Sequence, residues 1–441
     1  MTGLGQASVA VVGAGIAGLN AVYQLKKSGV TAALFEGASR VGGRIWTDRD
    51  SAGVPFERGG EFINEEHTDM RALAAEMGVE LFPLYAHPDQ RAPVIAYQVG
   101  GVAYTEGEFA AAVQPLAAQI RRDEAAFGTE RLDRMTVRAY LDGTGLDGWA
   151  RDMVELFVTA EYGLESDRVS AWALREIGQV SAAHPGIVHD GYGKYCARGG
   201  SEAITQALSR QVEDQIHLDH RLEAIRETGG RFHLSFEGRP DAAVEHLVLA
   251  LPLSTLRRVD LSGITLSPKK RRAINELGMA TNAKVIVGCA PRVRASHGLS
   301  EVFSGEAGGF VWENARYNES TAVGSLTVYR GGAAGAHVSQ ASVEAETELV
   351  AALDAAFPGF ARARTGEIIG VNWSNHPWSL GSYSCLMPGQ ASDFGDALTA
   401  PEGRIVFAGE HAGGRFRGFM NGAAMSGRLA AAQVLAHLNR I

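Results

Sequence analysis

The chain has 441 residues, of which 46% are hydrophobic, and a formal net charge of -9. That length allows two domains around a large core. Mild acidity without blocks of Lys and Arg argues against nucleic acid and membranes as partners, because both select clustered positive charge. Three scattered cysteines, Cys196, Cys289 and Cys385, fit neither a disulfide framework nor a metal site.

The hydrophobic pattern predicts alternating strands and helices at both ends of the chain. The predicted strands are 8–12, 31–35, 216–218, 232–236, 244–250, 284–288, 322–329 and 404–408, and the predicted helices are 16–28, 108–127, 149–162, 342–356 and 421–438. From 86 to 186 the pattern is mostly helical, with little strand signal. Because no repeat or low-complexity linker divides the chain, we expect two interleaved domains.

The first strand and helix are joined by the pattern Gly13-x-Gly15-x-x-Gly18, and Glu36 follows the second strand. In such a unit Gly13 permits a tight turn, Gly15 lets the backbone approach a pyrophosphate, and Gly18 lets the helix lie close on the strand. The helix N-terminus binds phosphate, and the acid binds a ribose. The segment therefore predicts a dinucleotide site, without distinguishing NAD from FAD.

No charged or apolar leader precedes the first strand, which predicts the absence of a secretory signal. No apolar run reaches transmembrane length. Together with the scattered cysteines, these features favour a reducing compartment, and we expect a cytoplasmic protein.

Glycine-rich segments recur after the opening unit and near the end of the chain. They are Arg40-Val41-Gly42-Gly43-Arg44, Gly59-Gly60-Glu61-Phe62, Phe407-Ala408-Gly409-Glu410 and Gly418-Phe419-Met420-Asn421-Gly422. With the opening motif, these segments resemble the flavin-containing amine oxidase family, which includes monoamine, polyamine and L-amino acid oxidases. The resemblance spans nearly the whole chain.

The resemblance implies an α/β fold in which a Rossmann-like FAD-binding domain, of the glutathione-reductase/amine-oxidase type, is interleaved with an α+β substrate domain. The FAD-binding domain would comprise residues 1–85, 195–278 and 393–441. Residues 86–194 would form a helical substrate region, and residues 279–392 the substrate-binding α+β part.

The resemblance also assigns FAD-binding residues. They are Gly13, Gly15, Ile16, Ala17, Gly18, Glu36, Gly43, Arg44, Gly59, Gly60, Glu61, Phe62, Leu222, Gly409, Glu410, Gly418, Phe419 and Met420. The helix that begins near Met420 would direct its N-terminus at the flavin, where negative charge accumulates on reduction. Ser382 stands where some relatives carry a cysteine joined to the flavin, so we expect non-covalent FAD.

Five residues are expected on the catalytic side: Lys284, Tyr383, Phe419, Trp373 and Trp378. By resemblance, Lys284 holds a water near flavin N5, Tyr383 and Phe419 flank the substrate amine, and the tryptophans approach the flavin. Two alternatives stay open. Lys284 also fits a side chain that snorkels at a strand start, and the tryptophans also fit core residues.

The expected reaction is hydride transfer from the carbon beside an amine to the flavin, with hydrolysis of the imine and reduction of O2 to hydrogen peroxide. An amino acid substrate would need a cation for its carboxylate, and Arg91, Arg316 and Arg417 are candidates by location. The alternatives are a flavin dehydrogenase or desaturase with another electron acceptor, and an inactive FAD-binding protein. No metal is expected, and a homodimer stays open.

Overall fold

The computed structural model describes residues 8–49, 51, 54–84, 95–181, 195–293, 301–314, 323–338 and 343–438. In these ranges the helices are α1 Ile16–Lys27, α2 Thr68–Glu76, α3 Glu106–Asp133, α4 Val137–Asp142, α5 Gly148–Tyr162, α6 Arg175–Gln179, α7 Glu202–Gln211, α8 Leu253–Leu256, α9 Pro268–Glu276, α10 Gly332–Ala336, α11 Val343–Ala356, α12 Phe360–Ala363, α13 Gln390–Thr399 and α14 Met420–Leu438.

The strands of the same ranges are β1 Val9–Val12, β2 Ala32–Phe35, β3 Thr47–Asp48, β4 Phe56–Glu57, β5 Leu81–Pro83, β6 Ile95–Val99, β7 Val102–Thr105, β8 Tyr195–Ala197, β9 Ile216–His217, β10 Leu222–Thr228, β11 Arg231–Phe236, β12 Arg239–Val244, β13 His246–Leu249, β14 Asp260–Gly263, β15 Gly278–Met279, β16 Ala283–Cys289, β17 Glu301–Ser304, β18 Gly309–Glu313, β19 Gly324–Arg330, β20 Arg364–Asn372, β21 Ser384–Cys385 and β22 Ile405–Phe407.

The opening strand–helix–strand unit forms the centre of a parallel sheet. Its described strands lie in the order β22-β13-β1-β2-β9, and all the pairings are parallel. β1 is buried along its length, as expected for a parallel strand covered on both faces. Helices α1 and α14 pack so closely that a Cβ on Gly427 would stand 2.1 Å from the Ala17 carbonyl oxygen. The two ends of the chain therefore meet at one region of this sheet.

A second, mixed sheet contains strands in the order β20-β16-β19-β18-β17-β6-β7. Strands β6 and β7 fall in the region for which little strand was predicted, so that expectation was wrong there. For β7 the physical reason is its position at the edge of the sheet, since most of its side chains are exposed and lack an apolar alternation. Helices α3 and α5 pack on this sheet through a core that includes Tyr97, Phe109 and Phe157.

The predicted strand 244–250 is present as β13, but it begins two residues later, because Val244 belongs to the preceding strand. β12 ends at Val244 in an antiparallel sheet with the order β12-β11-β10-β14, and β13 begins at His246 in the parallel sheet. The other predicted elements are present with shifted ends. Among the described helices, none is both long enough and apolar enough to span a membrane.

Candidate active site

A cavity of about 1120 Å³ is lined by residues of both the parallel sheet and the mixed sheet. Its wall contains the sequence-predicted residues Gly13, Gly15, Ile16, Ala17, Glu36, Gly43, Arg44, Gly59, Gly60, Glu61, Phe62, Leu222, Lys284, Trp373, Trp378, Tyr383, Gly409, Glu410, Gly418, Phe419 and Met420. Gly18 is the predicted residue that does not line it. The fold therefore gathers residues that lie hundreds of positions apart in the chain around one space.

The three glycines of the opening motif serve different geometrical purposes. Gly13 has a φ of +104°, which side chains rarely adopt, and a Cβ on Gly18 would stand 1.9 Å from the Gly13 carbonyl oxygen. A Cβ on Gly15 would meet no protein atom within 4 Å. Gly18 is thus required by helix–strand packing, whereas Gly15 faces the cavity. The open space beside Gly15, at the N-terminus of α1, fits a phosphate-bearing ligand.

Glu36 is held at the carboxyl end of β2 by backbone amides. Ala14 N–H donates to Glu36 Oε2 at 2.7 Å, and Ala38 N–H donates to Oε1 at 2.8 Å. Burial raises the pKa of Glu36, while these N–H donors act in the opposite direction. The carboxyl group is therefore fixed at the cavity wall, where a ribose would meet it.

A buried carboxylate links the first and last motifs. Glu410 accepts hydrogen bonds from Arg44 Nη1 at 3.0 Å, Ser384 Oγ at 2.7 Å and Gly418 N–H at 3.1 Å. Burial alone would raise the pKa of Glu410, but Arg44, His411 and the hydrogen bonds outweigh it and lower that pKa. A charged Glu410 thus orients Arg44 and the loop before α14.

The paired glycines predicted near a flavin allow three segments to meet. A Cβ on Gly59 would stand 1.9 Å from the Arg44 carbonyl oxygen, and a Cβ on Gly60 would stand 2.7 Å from Met420 Sδ. Backbone atoms leave no room for a side chain on Gly59, and a side chain on Gly60 would displace the Met420 side chain. The N-terminus of α14, which begins at Met420, therefore lies directly against this turn.

Lys284 is enclosed in the middle of the molecule. Its Nζ donates to Glu61 Oε2 at 2.8 Å, to the Glu57 carbonyl oxygen at 2.9 Å and to the Gly59 carbonyl oxygen at 3.0 Å. The Lys284 and Glu61 side chains are 6% and 9% exposed, which excludes the snorkelling alternative. Because an ammonium group has three N–H donors, all the donors of Lys284 are engaged.

The Lys284 ion pair extends to two further groups. Trp312 Nε1 donates to Glu61 Oε1 at 3.1 Å. Beneath the pair, burial and the charge of Glu61 raise the pKa of Glu57 to about 8, although Ser201, Lys284 and Thr47 act against the rise. The pKa of Glu57 therefore depends on the charges of Glu61 and Lys284.

Tyrosines and phenylalanines form the wall near Lys284. Tyr383 Oη donates to the Glu161 carbonyl oxygen and lies 3.0 Å from Tyr329 Oη. Phe419 packs on His67, with ring centroids 5.1 Å apart, and a Cβ on Gly418 would contact the Tyr383 ring at 3.6 Å. Tyr383 and Phe419 thus border the same part of the cavity.

The two predicted tryptophans lie in different places. Trp373 is buried, donates from Nε1 to the Arg58 carbonyl oxygen at 2.8 Å and packs beside Gly59. Trp378 packs against Gly37, since a Cβ there would stand 2.4 Å from its ring. Trp378 therefore lines the part of the cavity beside Glu36, and a catalytic role for it stays a prediction.

Sequence reasoning missed several cavity residues, most of them in the helical region and the mixed sheet. They are Phe157, Glu161, Tyr162, Glu176, Phe310, Trp312 and Tyr329. The sequence pattern could have identified Glu161, because it lies four residues after Phe157 on the apolar side of α5. An acid at that spacing faces the interior rather than solvent.

Of the three candidate arginines, Arg417 lines the cavity, whereas Arg91 and Arg316 lie outside the described residues. Burial lowers the pKa of Arg417, and its buried Nε has no hydrogen-bond partner in the described part of the chain. The three cysteines are buried and free. A search of the described residues found no group of His, Cys, Asp and Glu suited to a metal ion.

The model of the family "Flavin containing amine oxidoreductase" matches residues 16–435. Pseudooxynicotine dehydrogenase of a Pseudomonas species is 23% identical over 97% of this chain and 86% of its own length. The L-amino-acid oxidase of Vipera ammodytes ammodytes is 23% identical over 97% of this chain and 92% of its own length. Relatives with different substrates are therefore about equally similar.

A solved structure, cyclohexylamine oxidase from Brevibacterium oxydans, superposes with a TM-score of 0.86 at 23% identity and covers 98% of this chain and 99% of its own. This likeness confirms the expected α/β fold. The chain belongs to the flavin-containing amine oxidoreductase family, and it is a flavin-dependent enzyme whose cofactor is FAD.

Proposed function

We propose that this member of the flavin-containing amine oxidoreductase family oxidises the C–N bond of an amine and passes the electrons to O2. The observation that carries the proposal is one continuous cavity. It joins the phosphate-type turn at Gly15 to an aromatic wall at Tyr383 and Phe419, with Lys284 in the wall. A dinucleotide at one end would thus bring its reactive ring to an amine at the other.

The residues around the cavity fit FAD. Gly15 and the N-terminus of α1 would hold the phosphates, Glu36 the ribose, and Met420 the flavin end. Ser382 and the buried, free Cys385 support non-covalent binding. The chemistry that FAD supplies when bound is acceptance of a hydride from the carbon beside the nitrogen.

The protein's own residues would orient the amine and control its charge. The rings of Tyr383 and Phe419 border the space for the nitrogen, and an apolar environment disfavours an ammonium ion there. Lys284 is held in place in the cavity wall, because its three donors are already engaged. The water-ordering role predicted for Lys284 would require one of these bonds to break.

A second candidate is oxidation of an amino acid. It is favoured by Arg417, a guanidinium group in the cavity wall without an ion-pair partner among the described residues. Its planar donor fork suits a carboxylate. In that case Arg417→Lys should raise KM for amino acids and leave KM for simple amines nearly unchanged.

The test is a substrate panel of amines and L-amino acids, with oxygen consumption and peroxide measured together. Peroxide formation from amines supports the proposal. Activity that requires an artificial electron acceptor and forms no peroxide would indicate a dehydrogenase. Bound FAD that no amine or amino acid reduces would indicate an inactive FAD-binding protein.

A further inference from the structure

Two carboxylic acids in the cavity wall have no part in flavin binding or in the proposed oxidation. Glu161 lies in the last turn of α5, and Glu176 lies in α6. Both come from the helical region that packs on the mixed sheet. They therefore border the substrate side of the cavity rather than the dinucleotide turn.

Glu176 faces the cavity from within the protein. Protein surrounds its carboxyl group, yet the residue keeps accessible surface, and this surface opens into the cavity. Tyr162 Oη donates to Glu176 Oε1 at 2.7 Å. Among the described residues, no Lys or Arg forms an ion pair with Glu176 or favours its charged form.

Glu161 connects Glu176 with the aromatic wall. Its carbonyl oxygen accepts the hydrogen bond of Tyr383. Burial and the neighbouring charge of Glu161 raise the pKa of Glu176 to about 8, and the same charge contributes to raised pKa values of Tyr329 and Tyr383. The Glu161 carboxylate therefore acts on the same space as the rings that border the reacting nitrogen.

We propose that Glu161 and Glu176 form a subsite for a second cationic group of the substrate, so that diamines and other amines with a distal cation are preferred. This inference rests on the proposed function. The reacting nitrogen must lose its proton, whereas a distal group stays charged. Its positive charge would favour the ionised form of Glu176 and form charge-assisted hydrogen bonds with it. The nearby aromatic side chains suit the methylene chain between the two ends.

The test compares kcat/KM for straight-chain diamines and monoamines of matched length. In the wild type we expect the diamine-to-monoamine ratio to exceed about ten, and in Glu176→Gln and Glu161→Gln it should fall about ten- to one-hundredfold. Asp152→Asn is the matched control, because it removes a negative charge from the exposed side of α5. Its ratio should equal that of the wild type.

The wild-type comparison needs no variant, so the inference is testable even where a substitution prevents folding. Equal kcat/KM for the two classes, or a ratio that both glutamine variants retain, overturns the inference and leaves amine oxidation intact. A preference for amino acids that depends on Arg417 also overturns it. If no amine reduces the flavin, the proposed function itself fails.

Discussion

Replacing Lys284 with methionine should destabilise the holoenzyme by about 3–5 kcal/mol, because it breaks a buried ion pair and leaves one charge without its partner. The substitution removes the three hydrogen bonds that Lys284 Nζ donates to Glu61 Oε2 and to two backbone carbonyl oxygens, all within 3.0 Å. With an unfolding entropy of about 2.1 cal/mol/K per residue, this loss lowers the melting temperature by about 3–5 °C.

The assay is thermal unfolding of the wild type, Lys284→Met, and the double variant Lys284→Met/Glu61→Gln. The double variant should be more stable than Lys284→Met alone, because the unpaired buried charge is gone. The control is Lys27→Met, which breaks an ion pair whose side chains are 48% and 39% exposed and should cost less than about 1 kcal/mol. A loss at Lys284 no larger than that at Lys27, or no recovery in the double variant, would refute this reasoning.

Two further predictions concern the dinucleotide turn and the buried acid beneath Lys284. Gly15→Ala should fold normally and lose FAD affinity. Gly18→Ala should lower the melting temperature of the protein itself, since a Cβ there would stand 1.9 Å from the Gly13 carbonyl oxygen. FAD titration and thermal unfolding separate the two effects. Glu57 has a pKa of about 8 in the folded protein against an ordinary value of 4.5, so its contribution to stability is complete below pH 4.5 and is lost as the pH rises to 8. Glu57→Gln should remove that decline, which is on the order of 1 kcal/mol per pH unit. The free energy of unfolding is measured in urea from pH 5 to 8, and an equal slope against pH in the wild type and the variant would contradict the prediction.

The local sequence was sufficient to predict the geometry of the opening motif. The separate requirements at Gly13, Gly15 and Gly18 follow from a strand, a turn and a helix that are adjacent in the chain, and the structure shows the geometry expected at each position. The C-terminal motif lies near the opening motif, because α1 and α14 pack together. Whether each residue contacts FAD stays a prediction.

Contacts between distant segments could not be predicted from local sequence patterns. Lys284 was singled out, but its pairing with Glu61 joins positions 223 residues apart and no local pattern specifies that distance. Glu176 was missed because it lies in α6, whose five residues are too few to show an amphipathic pattern. Strand β7 was missed because its exposed edge position removes the apolar alternation by which strands are recognised.

The most direct test of amine oxidation is a single turnover of the purified holoenzyme without oxygen. Mixing with a substrate amine should bleach the flavin absorbance, and admitting air should restore it with one peroxide formed per amine oxidised. An amine that is consumed without bleaching, or bleaching that air reverses without peroxide, would contradict the proposed reaction.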